Sequence, residues 1–171
     1  MTPRNQVVSI ELLLDADTER AVRDDWRRLS DAGLSSLAAH TSPSNRPHVT
    51  LLARRELPVT DFGAAVRQLP IGIRLGDPIT FDHGSRVVLA RPVRLDEPLT
   101  ELHRTVHALA PPGEDLPHTA PGAWTPHVTL ARRLRREAVD HARELVGLPR
   151  DGHATHMRRW DSALATVTMV S

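Results

Sequence analysis

The chain has 171 residues, 40% hydrophobic and 25% charged, which suits one core of moderate size and excludes a disordered, fibrous or coiled-coil chain. There is no Cys, so disulfides, thiolate metal sites and cysteine nucleophiles are excluded, and no apolar run approaches the length of a membrane helix. The 22 basic residues are all Arg and offset 21 acidic ones to a net charge of +1; the sequence pI of about 9.0 reflects missing titratable groups between His and Arg, not a nucleic-acid-coating surface.

Taken in order, residues 7–14 (VVSIELLL) read as a strand with Val8, Ile10, Leu12 and Leu14 on one face and Ser9 and Glu11 on the other. Glu11 and Asp15 interrupt the N-terminal apolar run, so no secretory leader is read and a cytoplasmic protein is expected. Residues 18–30 predict a helix with the stripe Val22, Trp26 and Leu29, ended by Gly33. A Ser/Thr/Pro-rich loop, 34–46, leads into a strand, and Thr60 is expected to cap a short helix that turns Phe62, Ala65, Val66 and Leu69 inward. Strand-like segments follow at 71–76, 78–82 and 86–91, then a helix at 97–109 carrying Leu99, Leu102, Val106 and Leu109. A second Pro-rich loop, 110–126, feeds another strand, followed by a helix at 136–147 and strands near 154–160 and 163–170. Strands and helices alternate without a long βαβ rhythm, which predicts an α+β fold with mainly antiparallel sheets.

The most informative feature is an internal repeat. Residues 46–51 read RPHVTL and 125–130 read TPHVTL, so an identical PHVTL recurs with His48 and His127 79 positions apart. In a strand, residues i and i+2 share a face, so His48 projects with Thr50 and His127 with Thr129, while Val49, Leu51, Val128 and Leu130 turn to the core. Pro47 and Pro126 stand where a strand tolerates a missing N–H. One H-V-T is ordinarily structural; two in matching contexts, facing each other across a pseudo-two-fold axis, offer two imidazoles and two hydroxyls to one cleft. A neutral imidazole takes a proton, a protonated one donates to a leaving oxygen, and the hydroxyls hold phosphoryl oxygens, which is phosphodiester chemistry without a metal or other cofactor.

Two H-x-T-hydrophobic motifs about eighty residues apart resemble the 2H phosphoesterase superfamily, specifically its 2′-5′ RNA ligase-like and RNA 2′,3′-cyclic phosphodiesterase members, over essentially the whole chain. The resemblance implies a bilobal α+β fold, one domain over residues 1–171 made of two related lobes, with two antiparallel sheets lining a central cleft and helices outside. It implies hydrolysis of 2′,3′-cyclic phosphate ends of RNA, or of small cyclic nucleotides, to a 2′-phosphate, in some members with reversible 2′-5′ ligation. The implied catalytic set is His48, Thr50, His127 and Thr129, and Arg132, five residues after the second histidine, is implied to engage phosphate. By family habit His127 is the base and His48 the acid, while the sequence itself leaves the direction open and the reverse assignment stands beside it. No obligate protein partner or membrane is implied, and nothing demands more than a monomer.

Only five aromatic residues are present, Trp26, Phe62, Phe81, Trp124 and Trp160, which argues against stacking a long RNA strand and for a small or terminal nucleotide. Trp124 is expected near the cleft, and His118 lies in the loop that would cover it. Two other readings stand beside this one. A non-catalytic RNA- or nucleotide-binding module would keep the cleft without turnover. A metal-dependent hydrolase would use His103 and His107, whose i, i+4 spacing suits one helix turn but lacks an HExxH pattern. Arg54 and Arg133 are read mainly as solvated or salt-bridged charges.

Overall fold

The computed structural model describes residues 5–171; the first four residues of the stretch read for a leader lie outside them. Strand β1 (Val8–Leu14) is followed by helix α1 (Ala16–Asp31), β2 (His48–Arg54), the single turn α2 (Gly63–Val66), β3 (Ile71–Leu75), β4 (Ile79–His83) and β5 (Arg86–Pro92). Helix α3 (Glu97–Leu109), β6 (His127–Arg135), α4 (Val139–Leu145), β7 (Arg150–Asp161) and β8 (Thr166–Val170) complete the chain. The fold is α+β with two antiparallel sheets. One has the order β2-β1-β7-β3 with β8 also paired to β7, and the other the order β4-β5-β6. Each motif strand is the edge of its own sheet, and the two edges lie against each other.

The helices form for local reasons and dock for hydrophobic ones. Asp15 caps α1 by accepting from the Thr18 backbone N–H at 3.0 Å and from its hydroxyl at 2.7 Å. Burial alone would raise the Asp15 carboxyl, but these bonds and the backbone N–H of His153 bring it down to about 2. Val22, Trp26 and Leu29 are fully buried, each contributing roughly 2 kcal/mol by removal from water. On the same helix Asp25 pairs with Arg91 of β5 at 2.8 Å and accepts from Gly147 N–H, fastening α1 to the second sheet. Asp96 caps α3 by accepting from Leu99 N–H, and Leu99, Leu102 and Val106 are buried as the stripe requires.

The structure extends one local expectation and corrects two. Ser9 and Glu11 do face away from Ile10 and Leu12, but that face is buried too, so all of β1 is covered. Thr60 caps nothing: its hydroxyl donates to Pro58 O, and Asp61 instead accepts from Gly63 N–H beside the short α2. The helix expected at 136–147 is a 3₁₀ turn, Arg136–Ala138, followed by α4. No described helix is long and apolar enough to cross a membrane.

Candidate active site

Each PHVTL segment builds the same local device. The proline before the histidine has a fixed φ, and the carbonyl before that proline curls back onto the imidazole: His48 Nδ1 meets Arg46 O at 2.8 Å, and His127 Nδ1 meets Thr125 O at 2.8 Å. A carbonyl only accepts, so each Nδ1 carries the proton and each Nε2 is left for a ligand. The carbonyls ahead of the prolines therefore fix the tautomer, and the prolines stand immediately before the strands. His48, Thr50, His127 and Thr129 are half-buried while Val49, Leu51, Val128 and Leu130 are fully buried, the alternation expected of a strand with one face open.

The repeat extends to an irregularity. Opposite β1, Thr50 pairs with Glu11 but Leu52 pairs with Ile10, so Leu51 is an extra residue. Opposite β5, Thr129 pairs with Ala90 but Ala131 pairs with Leu89, so Leu130 is an extra residue at the same motif position. This bulge decides where Arg132 points. An odd separation of five from His127 would place it on the opposite face of a regular strand, and the bulge returns it to the side of the histidine. Arg132 lines a cavity of about 300 Å³ together with His48, Glu11, His40, Asn45 and Trp160.

Glu11 and Arg158 were not singled out from the sequence. In the register Glu11 stands between Thr50 of β2 and Arg158 of β7, so the three form a row across the cleft face. Both charges are buried; Arg158 Nε donates to Glu11 Oε1 at 2.8 Å, Ser9 Oγ donates to Oε2 at 2.8 Å, and Arg158 also donates to Ser44 O. Glu11 Oε2 lies 3.5 Å from His48 Nε2, a counter-charge for the protonated ring. The only sequence signal was an acidic residue inside an apolar run.

His127 sits in different company. The Phe81 ring, from β4 two strands away, lies 4.9 Å from its ring, and a cavity of about 460 Å³ opens there between Phe81, His83, His118 and Thr125. Burial pushes the His127 imidazole below its ordinary value, and the nearby charges of His48 and His118 push the same way against the Thr125 carbonyl. Both effects favour the neutral form of His127, and His118 contributes through this field.

Other expected residues are structural. Trp124 is not a cleft residue: it stacks flat on His103 with ring centroids 3.9 Å apart and donates to Thr50 O at 2.9 Å. Trp26 does the same for the other motif, donating to Thr129 O at 3.1 Å. His103 and His107 have their Nε2 atoms on the carbonyls of Thr119 and Leu51, each at 3.0 Å, and His107 Nδ1 is 3.4 Å from Asp115. Those contacts commit the pair to bracing α3 against β2 and the loop before β6. Burial holds His103 down to about 4, with the His107 charge adding to it. Arg54, the counterpart of Arg133 in the first repeat, is tied to Asp115 at 2.7 Å.

No curated protein matches this sequence. Among solved structures, Usb1 of Kluyveromyces marxianus with uridine monophosphate is 14% identical with a TM-score of 0.46, the match covering 98% of both chains. E. coli LigT complexed with 3′-AMP is 18% identical with a TM-score of 0.47, covering 97% of this chain and 95% of that one. The sequence itself matches the 2′-5′ RNA ligase superfamily over residues 18–170, nearly its whole length and both motifs, and the chain belongs to that superfamily.

Proposed function

We propose that this protein hydrolyses 2′,3′-cyclic phosphate ends of RNA or nucleotides to a 2′-phosphate by acid/base catalysis between His127 and His48. The observation that carries the reading is the matched pair of imidazoles, each with Nδ1 held by the carbonyl two residues back and Nε2 left for a reacting group. The neutral His127 accepts a proton from water as the water oxygen bonds to phosphorus. The bond from phosphorus to the 3′ oxygen breaks, and that oxygen takes its proton from His48, whose cationic form is faced by Glu11. Thr50 and Thr129 donate to the non-bridging oxygens, where charge accumulates, and Arg132 supplies a planar cation to the same phosphate. With a 5′-hydroxyl in place of water, the same steps run by the same groups would form a 2′-5′ linkage, the 3′ oxygen again leaving with a proton from His48.

The test is incubation of the purified protein with a 2′,3′-cyclic nucleotide in EDTA and identification of the product isomer. The 2′-phosphate is expected, with loss of about 10²- to 10⁴-fold on His48→Ala and on His127→Ala while circular dichroism stays that of the parent. Nucleotide binding without turnover would favour a binding module, and activity abolished by chelator alone would favour a metal-dependent hydrolase; either overturns the proposal.

A further inference from the structure

A second cavity, of about 480 Å³, opens beside the one next to His48, and the two share His40 and Arg132. Its walls are Ser30, Ser35 and Ser36, the turn Leu37–Ala39, and Arg132 and Arg133 of β6. Both volumes fall in the range of small-ligand sites, roughly 300 to 1,000 Å³. No carboxylate lines this second cavity, so its charge is wholly positive.

The backbone is shaped to make it so. Beyond the motif bulge, β6 departs from register again: Ala131 pairs with Leu89 and Leu134 with Val87, so two residues of β6 lie where one would fit. Those two are Arg132 and Arg133, both exposed, whereas alternation would have sent one of them to the core. The Arg133 backbone N–H is tied to Ser35 Oγ at 3.2 Å, and since that oxygen is the acceptor, the Ser35 hydroxyl proton remains for a ligand. Consecutive Cα atoms are about 3.8 Å apart, so two long guanidinium arms from adjacent positions span neighbouring phosphates of one strand.

We propose that this second cavity is a phosphate subsite, in which Arg133, Ser35 and His40 hold the phosphodiester preceding the terminal nucleotide, so that the substrate is an RNA end of at least two nucleotides. The inference rests on the proposed function for the position of the reacting phosphate. It places recognition of the neighbouring nucleotide in charge and hydroxyls, which accords with the scarcity of aromatic side chains.

The experiment measures binding, so that it reads the subsite whether or not turnover occurs. Adenosine 2′-monophosphate is compared by calorimetry with adenylyl-adenosine ending in a 2′-phosphate, over a series of salt concentrations. The dinucleotide is expected to bind roughly tenfold tighter at low salt, with a slope of log affinity against log salt steeper by ~0.7, the value for one more phosphate contact on a single strand. In Arg133→Ala the dinucleotide-to-mononucleotide ratio falls towards one and the extra slope disappears, while Arg133→Lys keeps most of the slope. Equal affinities in the parent protein, or an unchanged ratio in Arg133→Ala, would overturn the subsite. Failure of cyclic phosphate hydrolysis with the ratio intact would sink the proposed reaction and leave the subsite standing.

Discussion

Replacing Glu11 by Gln isolates the buried charge pair beside His48. The Glu11 and Arg158 side chains are only 5% and 4% exposed, so the substitution leaves a guanidinium in the protein with Ser44 O and an amide for company. Removing one partner of such a pair costs about 3 to 5 kcal/mol, because the remaining charge has lost both water and counter-ion. The isosteric amide still accepts one bond, which favours the lower end, about 3 kcal/mol. For a chain of this length each kcal/mol corresponds to roughly 2 to 4 °C, so Tm should fall by about 6 to 12 °C. The paired change Glu11→Leu with Arg158→Met removes both charges and should recover all but about 1 kcal/mol. Thermal denaturation of the parent, the single variant and the double variant, at one pH and protein concentration, gives all three numbers. A single variant within about 1 kcal/mol of the parent, or a double variant worse than the single, would refute the view that the two charges depend on each other.

Three further outcomes follow from the same geometry. His103 is held near 4 when folded, below its unfolded value near 6.5, so the unfolded chain binds the proton more readily; stability is complete above about pH 6.5 and declines by about 3 kcal/mol as pH falls toward 4. Denaturant midpoints for His103→Gln should show a shallower decline, and an equal one would remove His103 as its source. A Cβ on Gly152 would lie 2.1 Å from the Thr18 hydroxyl oxygen, so Gly152→Ala should cost about 1 to 3 kcal/mol by calorimetry, whereas Gly72→Ala on the neighbouring strand meets nothing within 4 Å and should cost less. Phe81→Ala opens His127 to water and relieves the burial that depresses it, so the acid limb of kcat/KM should move to higher pH; a limb that stays in place would show that the ring does not set the proton affinity.

Much of this was legible because the governing interactions are local. The stripe Val22, Trp26 and Leu29 fixed α1, the stripe Leu99, Leu102, Val106 and Leu109 fixed α3, and the alternation around each HVT fixed which face carries the histidines. What escaped depends on pairing across the chain. A bulge is a mismatch between two strands, so neither Leu51 nor Leu130 announces one, and without it Arg132 would point away from the site to which the family resemblance assigned it. Glu11 and Arg158 are 147 positions apart and became partners only when β1 and β7 paired. Trp124 went to the core because a stacked histidine and a strand carbonyl satisfied its indole better than a solvent-facing loop would. The missing cap at Thr60 is a local exception: its hydroxyl donates to the Pro58 carbonyl two residues back, a competing bond that composition does not reveal.

The two motifs are alike in their backbones and unlike in their neighbours, and the proposed chemistry depends on the difference. The Nδ1 bond to the preceding carbonyl, the bulge at the leucine and the indole on the threonine carbonyl occur twice. Two imidazoles in identical settings would have the same proton affinity apart from their mutual repulsion, and such a pair has no built-in direction. The direction comes from elements that are not repeated. Strands β1 and β7 bring the Glu11 carboxylate, with its Ser9 and Arg158 supports, to His48. Strand β4 brings the Phe81 ring, and the loop before β6 brings His118, to His127. In the proposed reaction, exchanging the histidines would therefore change nothing, whereas exchanging a carboxylate for an aromatic ring at these two places would exchange the proposed donor and acceptor.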